Sequence, residues 1–358
     1  MKLFQKYCKI VCNYGEVRQV LKSKKKLTLI ISIVATVLIV FSVVLDIVLQ
    51  KSKTEKTDFA MGAVISLNVT GRKSRDTAEE IVSAIKTREN EISKKIETSE
   101  ISLLNKNKTL TVSDKTSKIL KSILDVCEKS SGAVDLTIGK LTGLWNIGSE
   151  NFAVPQKKDI ENILKEVLWE KVVIKNNTVS IGENQELDLG FAGKGLACDD
   201  AKEILIRNGI SKGIINVGGS LCLHGDGDFT VGIRNPLGDV SDYMAVLTVG
   251  ESFISTSGNY ERFSEYKGEK YHHILSTETG YPVENDLLSV TVVCDSGLLS
   301  DALSTACYCL GYENSLELLK QYNAQAVFIF NTKEVKVTDG LENKIEIKND
   351  EFELWKEN

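Results

Sequence analysis

The chain has 358 residues, 42% of them hydrophobic and 26% charged, the make-up of a globular protein and not of a disordered one. Its length holds one large domain or two ordinary ones, and its net charge of -5, with acidic and basic residues interspersed, argues against nucleic acid as a partner.

Residues 1–26 form a short basic segment in which Lys2, Lys6, Lys9, Arg18, Lys22, Lys24, Lys25 and Lys26 face a lone Glu16. Residues 27–49, LTLIISIVATVLIVFSVVLDIVL, have the length and apolarity of a membrane-crossing helix, with Asp46 the single charge, placed near one end. No small-residue cleavage site follows, so the stretch reads as a retained anchor; the positive flank sets residues 1–26 in the cytoplasm and the rest outside the cell membrane. Residues 50–59 read as a polar linker, and 60–358 as the folded domain.

The domain opens on AMGAVISLNVTG, whose alternation predicts a half-buried strand. Helical spacing predicts surface helices from about Asp76 to Ile96 and from Ser113 to Lys129. VVIKNNTVSIG and QELDLGF read as strands with an Asn-Asn turn, and LACDDAKEILIRNG as a helix closed by Gly209. The β-rich run continues to KYHHILSTETGYP; SVTVVCD is a strand, GLLSDALSTACYCLG a helix, and AQAVFIFN with EVKVTDG a hairpin pair. Strands and helices mix without a βαβ rhythm, which predicts an α+β fold.

Eight cysteines show no CxxC or metal-finger spacing and read as buried small hydrophobes. In DLGFAGKG, 188–195, glycines permit close backbone approach, Lys194 can meet phosphate oxygens, and a helix from about Leu196 offers free N–H groups to an anion; a tight strand-to-helix turn with a solvated lysine accounts for the stretch equally well. NVGGS at 216–220 reads as a bulge, with a seat for a flat ring as the alternative. His224 lies in a turn-like HGDGD and reads as solvent-facing, and His272 and His273, adjacent on a strand, point to opposite faces. Asp301 and Thr305 stand four apart on one helix face. They fit a helix cap with a back-bonded threonine, a pair of hard oxygen ligands for Mg²⁺ or Ca²⁺, or an acid/base carboxylate.

Taken in order, MGAVISL, TSEISLLNK, SGAVDLTIGKLTGLWNIG, ELDLGFAGKGLACD, INVGGSLCLHG, VGIRNP, STSGNYERF, HHILSTETGYP and SVTVVCDSGLLSDALSTA make the chain resemble the ApbE-type flavin transferases from about Ala60 to at least Gly311. The resemblance implies mixed sheets with packed helices around a flavin cleft. It implies that FAD is split at its pyrophosphate and FMN passed to a Thr or Ser hydroxyl of an acceptor redox protein, with AMP leaving. By the same resemblance Met61, Ala133, Val134, Asp135, Asp188, Lys194, His273 and Ile274 contact FAD, and Mg²⁺ is held by the Phe191 carbonyl and the side chains of Asp301 and Thr305. Asp301, Lys194 and His273 would carry the catalysis. Two departures stand out: Phe191 and Gly193 in the cleft loop, and Lys95 where the family commonly has an aromatic residue. Hydrolysis of FAD to FMN and AMP, or flavin binding without turnover, are the alternatives.

Overall fold

The computed structural model describes residues 22–43 and 51–355, together with Met1 and Leu3; Asp46, Cys8 and Cys12 lie outside the described residues. The chain divides into two units, residues 1–52 and 53–358. In the first, α1 (Lys22–Val43) is a 22-residue helix of mean hydropathy 2.4, long and apolar enough to cross a membrane.

The second unit opens with β1 (Lys53–Ala60), β2 (Ala63–Thr70), α2 (Ser74–Ile92), α3 (Glu100–Asn107), β3 (Thr109–Thr111), α4 (Asp114–Lys129), α5 (Gly139–Trp145) and α6 (Lys157–Leu164). It continues through β4 (Val173–Lys175), β5 (Thr178–Ser180), α7 (Gly193–Arg207), β6 (Lys212–Val217), β7 (Ser220–Gly225), β8 (Phe229–Arg234), β9 (Tyr243–Val249) and β10 (Ser252–Gly258). Last come β11 (Phe263–Tyr266), β12 (Glu269–His272), β13 (Leu287–Cys294), α8 (Gly297–Gln321), β14 (Gln325–Phe330), β15 (Glu334–Val337), β16 (Ile345–Ile347) and β17 (Glu353–Leu354).

One sheet organises this unit, in the order β1-β2-β6-β7-β10-β13-β14-β15-β17. Its central strands are covered on both faces, so neighbouring residues serve different cores. Cys222 and Phe253 face a helical layer with Ile81 and Ile85 of α2 and Ala197 and Ala201 of α7. Leu223 and Ile254 face the small sheet β16-β9-β8, through Phe229, Met244 and Leu247. In β13, Val292 belongs to the core built with α4 and α8, and Val293 to the small-sheet side. This is an α+β fold.

Several expectations change. The stretch read as a linker is strand from Lys53 onward, paired along its whole length with β2 from Lys53↔Thr70 to Ala60↔Ala63. Its alternating Lys53, Glu55, Lys56 and Asp58 suit a charged sheet edge as well as a linker, which is why composition misled. QELDLGF forms no named strand: Asp188 Oδ1 accepts from the Gly190 N–H (2.9 Å), and only an isolated bridge, Ile138↔Glu186, remains. NVGGS is not a bulge but the β6–β7 turn, with Gly218 and Gly219 at φ 54° and 95°, the left-handed pair that suits a tight hairpin. His224 lies on β7 with Nδ1 2.7 Å from the Glu251 carboxylate and only 13% of its side chain exposed, so it is not solvent-facing. The Asn176-Asn177 turn and the β14–β15 hairpin form as expected, and the six described cysteines are free, five of them buried.

The helical layer turns on one crossing. A Cβ on Gly195 would stand 1.9 Å from the Gly297 carbonyl oxygen, and one on Gly297 would stand 2.1 Å from that of Gly195. At this range carboxylates reach across. Asp199 of α7 accepts from the N–H groups of Gly297 (2.7 Å) and Leu298 (2.8 Å) at the start of α8, while Asp301 of α8 accepts from the Gly195 N–H (2.9 Å) at the start of α7. Each helix thereby supplies the other's N-terminal anion. Arg88 of α2 adds a buried two-pronged pair to Asp200, Nε–Oδ2 2.7 Å and Nη2–Oδ1 2.9 Å.

Gly195→Ala sets a methyl group against backbone that cannot yield, and it should cost about 3 kcal/mol or more, at or beyond the upper end for overpacking. Gly143→Ala, exposed in α5 with nothing within 4 Å of its added Cβ, should change stability by less than about 1 kcal/mol. Urea midpoints of the two variants against the parent check the contrast, and equal midpoints for all three would remove the crossing from the account.

Candidate active site

The β6–β7 turn is where predicted site residues converge. The Lys194 ammonium donates to the Gly218 carbonyl (3.0 Å), and Ser220 Oγ donates to Asp301 Oδ1 (3.3 Å). Between these, Glu261 brings Oε1 to 3.5 Å from where a Cβ on Gly219 would stand. The β1–β2 turn abuts the same place, because the Gly218 N–H donates to the Val64 carbonyl (3.2 Å). At its tip Met61 adopts φ 54°, and its half-buried side chain packs against two of the cores.

Asp301 is 2% exposed, and desolvation raises its carboxyl while Lys194 and the Gly195 N–H oppose the rise. Its hydrogen bonds come from neutral donors, and among the described residues no ion pair within reach compensates the buried charge. A buried carboxylate in this state is a natural seat for a cation. Thr305 Oγ1 lies 3.0 Å from Ser257 Oγ and 3.4 Å from the Asp301 carbonyl in its own helix. Phe191 sits half-buried in the loop leading into α7. The carboxylate of Asp301 and the hydroxyl of Thr305 are hard oxygen donors of the kind Mg²⁺ or Ca²⁺ takes. No group of three or more His, Cys, Asp or Glu able to hold a metal occurs among the described residues.

The expectation that Asp301 caps the N-terminus of its own helix does not hold. Ser296 caps α8, and Asp301, a turn further on, caps α7. The free N–H groups expected at the start of that helix are therefore engaged: α7 begins at Gly193, and the anion at the Gly195 N–H is Asp301 itself.

Asp188 is fixed by the Thr142 hydroxyl (2.7 Å), the Lys94 ammonium (3.0 Å) and the Gly190 N–H. Burial opposes its charge, but Lys94 and these donors outweigh it and hold the carboxyl below its usual range. Asp135 spends its carboxylate on its own surroundings: Oδ1 accepts from the Thr137 N–H and hydroxyl (both 2.7 Å), and Oδ2 from the Trp169 N–H (2.9 Å). It shapes the loop that carries Ala133 and Val134, and Val134 is buried. Thr277 ties this loop to the segment after Ile274 by donating to the Gly132 carbonyl (2.7 Å). His273 meets the Arg262 carbonyl with both its backbone N–H and Nδ1, each at 3.1 Å, and Ile274 beside it is 5% exposed.

Lys94 joins the site from outside every stretch quoted above, while Ser220, Ser257 and Glu261 lie within NVGGS and STSGNYERF but were given no role of their own. Each comes from a part of the chain remote from its partner, and no periodicity or spacing assigns such residues a partner.

The family model that matches this chain is the ApbE family, over residues 61–329. Among curated proteins, the chain is 32% identical over 257 residues to the FAD:protein FMN transferase of Treponema pallidum (strain Nichols), covering 66% of this chain and 71% of that one. It is 34% identical over 207 residues to the FAD:protein FMN transferase of Klebsiella pneumoniae (strain 342), covering 57% of this chain and 65% of that one, just under two thirds of that relative's length. Among solved structures, the ApbE protein of Thermotoga maritima superposes with a TM-score of 0.73 at 28% identity, covering 83% of this chain and 97% of that one. The matched span embraces Met61, Lys194, Asp301 and Thr305 together with the sheet that gathers them, and the chain belongs to the ApbE family.

Proposed function

We propose that this protein is an FAD:protein FMN transferase, which cleaves the FAD pyrophosphate and joins FMN through a phosphoester to a threonine or serine hydroxyl of an acceptor redox protein, releasing AMP. The observation that carries this reading is the meeting of Lys194, Asp301 and the Ser220 hydroxyl at the 218–220 turn of an ApbE-family chain. Its relatives in Treponema pallidum and Klebsiella pneumoniae bear that activity in their names.

Asp301, Thr305 and the Phe191 carbonyl would hold a divalent ion, Mg²⁺ in the first instance, which when bound supplies positive charge to the phosphate oxygens. Lys194 offers a second, fixed positive charge, held in place by the Gly218 carbonyl. Charge that develops at phosphorus during transfer is met by groups already oriented, so little reorganisation is needed at the moment of reaction. Met61, the 133–135 loop, Asp188 and Ile274 would contact and orient the dinucleotide. His273 is held neutral: burial lowers its imidazole, and Arg262 and Lys194 add to this, down to about 4. It therefore serves as a hydrogen-bonding contact to FAD and adds no charge at neutral pH. We further infer that α1 anchors the enzyme in the cell membrane with the catalytic unit on the extracytoplasmic side, from its apolarity and the basic residues before it.

Full-length protein in detergent, mixed with FAD, Mg²⁺ and the protein acceptor of the Klebsiella pneumoniae relative, should yield an acceptor with a covalent flavin, seen by intact mass and in-gel fluorescence. FMN and AMP without labelled protein would favour the hydrolase. Asp301→Ala should lose at least about a hundredfold in rate, the scale of removing one fixed electrostatic stabiliser, together with its Mg²⁺ dependence; Mg²⁺-dependent turnover near the parental rate would exclude the assigned ligand. For His273, the folded state has its imidazole at about 4 against a reference of 6.5. The unfolded chain thus binds more protons between those values, and the histidine's contribution to stability falls as pH drops from 6.5 to about 4. His273→Gln should flatten that part of the stability–pH curve while leaving the slope above pH 7 alone, as read from urea midpoints across the range.

A further inference from the structure

Lys94, in the loop that joins α2 to α3, brings its ammonium to three oxygens from two other parts of the chain. It donates to the Gly139 carbonyl (2.7 Å) and the Thr142 hydroxyl (2.6 Å) of α5, and it pairs with Asp188 Oδ2 at 3.0 Å. The Thr142 hydroxyl in turn donates to the same Asp188 oxygen (2.7 Å). The side chain of Lys94 is 16% exposed and that of Asp188 20%, so solvent ions screen the pair little.

Both partners adjoin segments proposed above to contact FAD. Asp188 is one of those contacts, and α5 follows the loop that carries Ala133, Val134 and Asp135. At its far end α5 holds the segment after His273 and Ile274: the buried Trp145 donates its indole N–H to the Gly280 carbonyl (2.7 Å) and shares a small core with Leu275. The backbone on either side of the ammonium has supports of its own. The Asp188 N–H donates to the Leu136 carbonyl (2.8 Å), the Gly139 N–H to the Glu186 carbonyl (2.8 Å), and the Asn105 amide meets both the N–H (2.6 Å) and the carbonyl (2.9 Å) of Leu187. Lys94 therefore acts on the Asp188 carboxylate more than on the course of the chain.

We propose that Lys94 is a positioning residue of the dinucleotide site, fixing the Asp188 carboxylate so that it accepts a hydroxyl or ring N–H of FAD; this rests on the transferase reading above. A carboxylate offers about four lone-pair sites. Lys94 and Thr142 take those on Oδ2, and the Gly190 N–H takes one on Oδ1, which leaves Oδ1 able to accept once more. Without the ammonium, Asp188 is a largely buried carboxylate held by neutral donors alone, and burial, the largest influence on it, favours the protonated form. A protonated or turned carboxyl is the poorer acceptor, so FAD binding weakens. No hydrogen bond or ion pair among the described residues joins Lys94, Thr142 or Asp188 to Lys194, Asp301 or Thr305. The effect thus belongs to binding and not to the charge arrangement at phosphorus.

The test compares full-length parent, Lys94→Met, Asp188→Asn and the double variant in detergent with Mg²⁺. FAD affinity is read from the change in flavin fluorescence, and kcat from AMP release at saturating FAD with the protein acceptor of the Klebsiella pneumoniae relative. Lys94→Met should weaken FAD binding by about 10- to 100-fold, the scale of a lost hydrogen bond to a charged group, with kcat within about threefold of the parent. In the Asp188→Asn background the same substitution should cost less than about twofold more, because the partner it acts through no longer carries a charge. If Lys94→Met does not fold, Lys94→Gln, which keeps a donor without the charge, is read in the same way. Unchanged affinity with a lowered urea midpoint, a fall in kcat in place of affinity, or equal losses in both backgrounds overturns the assignment and leaves the transferase reading standing. A parent that binds FAD but releases no AMP overturns the transferase reading alone, and a parent that binds no FAD overturns both.

Discussion

The exchange of carboxylates between α7 and α8 is the constraint on which the rest of the structure depends. A helix start leaves backbone N–H groups without intrahelical partners, and burying them bare costs free energy comparable to lost hydrogen bonds. Here both helix starts are packed against each other, and each is satisfied by an acid from the other's second turn: Asp199 for α8 and Asp301 for α7. This works only if the backbones nearly touch, which is why glycine occupies both 195 and 297. The first helix is held in turn by the buried Arg88–Asp200 pair, so the crossing is referred to α2 and through it to the sheet. Removing one member of such a pair leaves an uncompensated buried charge, which makes the geometry strongly cooperative.

The two sides of the main sheet divide the labour. On one side, β8, β9 and β16 close over Leu223, Ile254 and Val293 and bury apolar surface. On the other, the helices bring their N-terminal turns to the end of the sheet where β6 turns into β7. The glycine pair at 218 and 219 lets that turn be tight, with carbonyl and hydroxyl presented to Lys194 and Asp301. The strands' continuous burial, the helix crossing and the turn thus fix side chains that are distant in sequence to within a few residues of each other.

What the sequence disclosed follows the range of the interactions involved. Amphipathic α4, the Asn176-Asn177 turn, β13 and the first half of α8 were legible because neighbouring residues determine them; Gly311, at φ 76°, breaks the last of these at the residue where the pattern stops. β1 was not, because a charged alternating edge strand and a polar linker share one composition, and only eight paired residues of β2 decide between them. QELDLGF has strand-like residues, but the side chain of Asp188 binds its own backbone and competes with the ladder. At the site, the i, i+4 pairing of Asp301 and Thr305 was visible, while the target of the Asp301 cap was not: Gly195 is 106 residues away. Glu261 lay within STSGNYERF but its place could not be read there, since it comes from an irregular loop whose anchors, Leu288 and His273, lie further along the chain.

The capping duty of Asp301 and the ligand duty proposed for it make different demands on one carboxylate. As a cap it needs a single oxygen acceptor towards the Gly195 N–H, a service that an amide oxygen could supply as well. As the ligand proposed above it would need a full negative charge, which is costly at 2% exposure and which its contacts, the Gly195 N–H and the Ser220 hydroxyl, do not neutralise. Helix α7 meets part of that cost because its N-terminus carries partial positive charge, and Lys194 meets more through the field it casts on the carboxylate. The remainder is uncompensated in the protein alone. A fold that needed only the cap would have no reason to keep the charge, and the helix crossing is arranged so that a charged carboxylate is tolerated there.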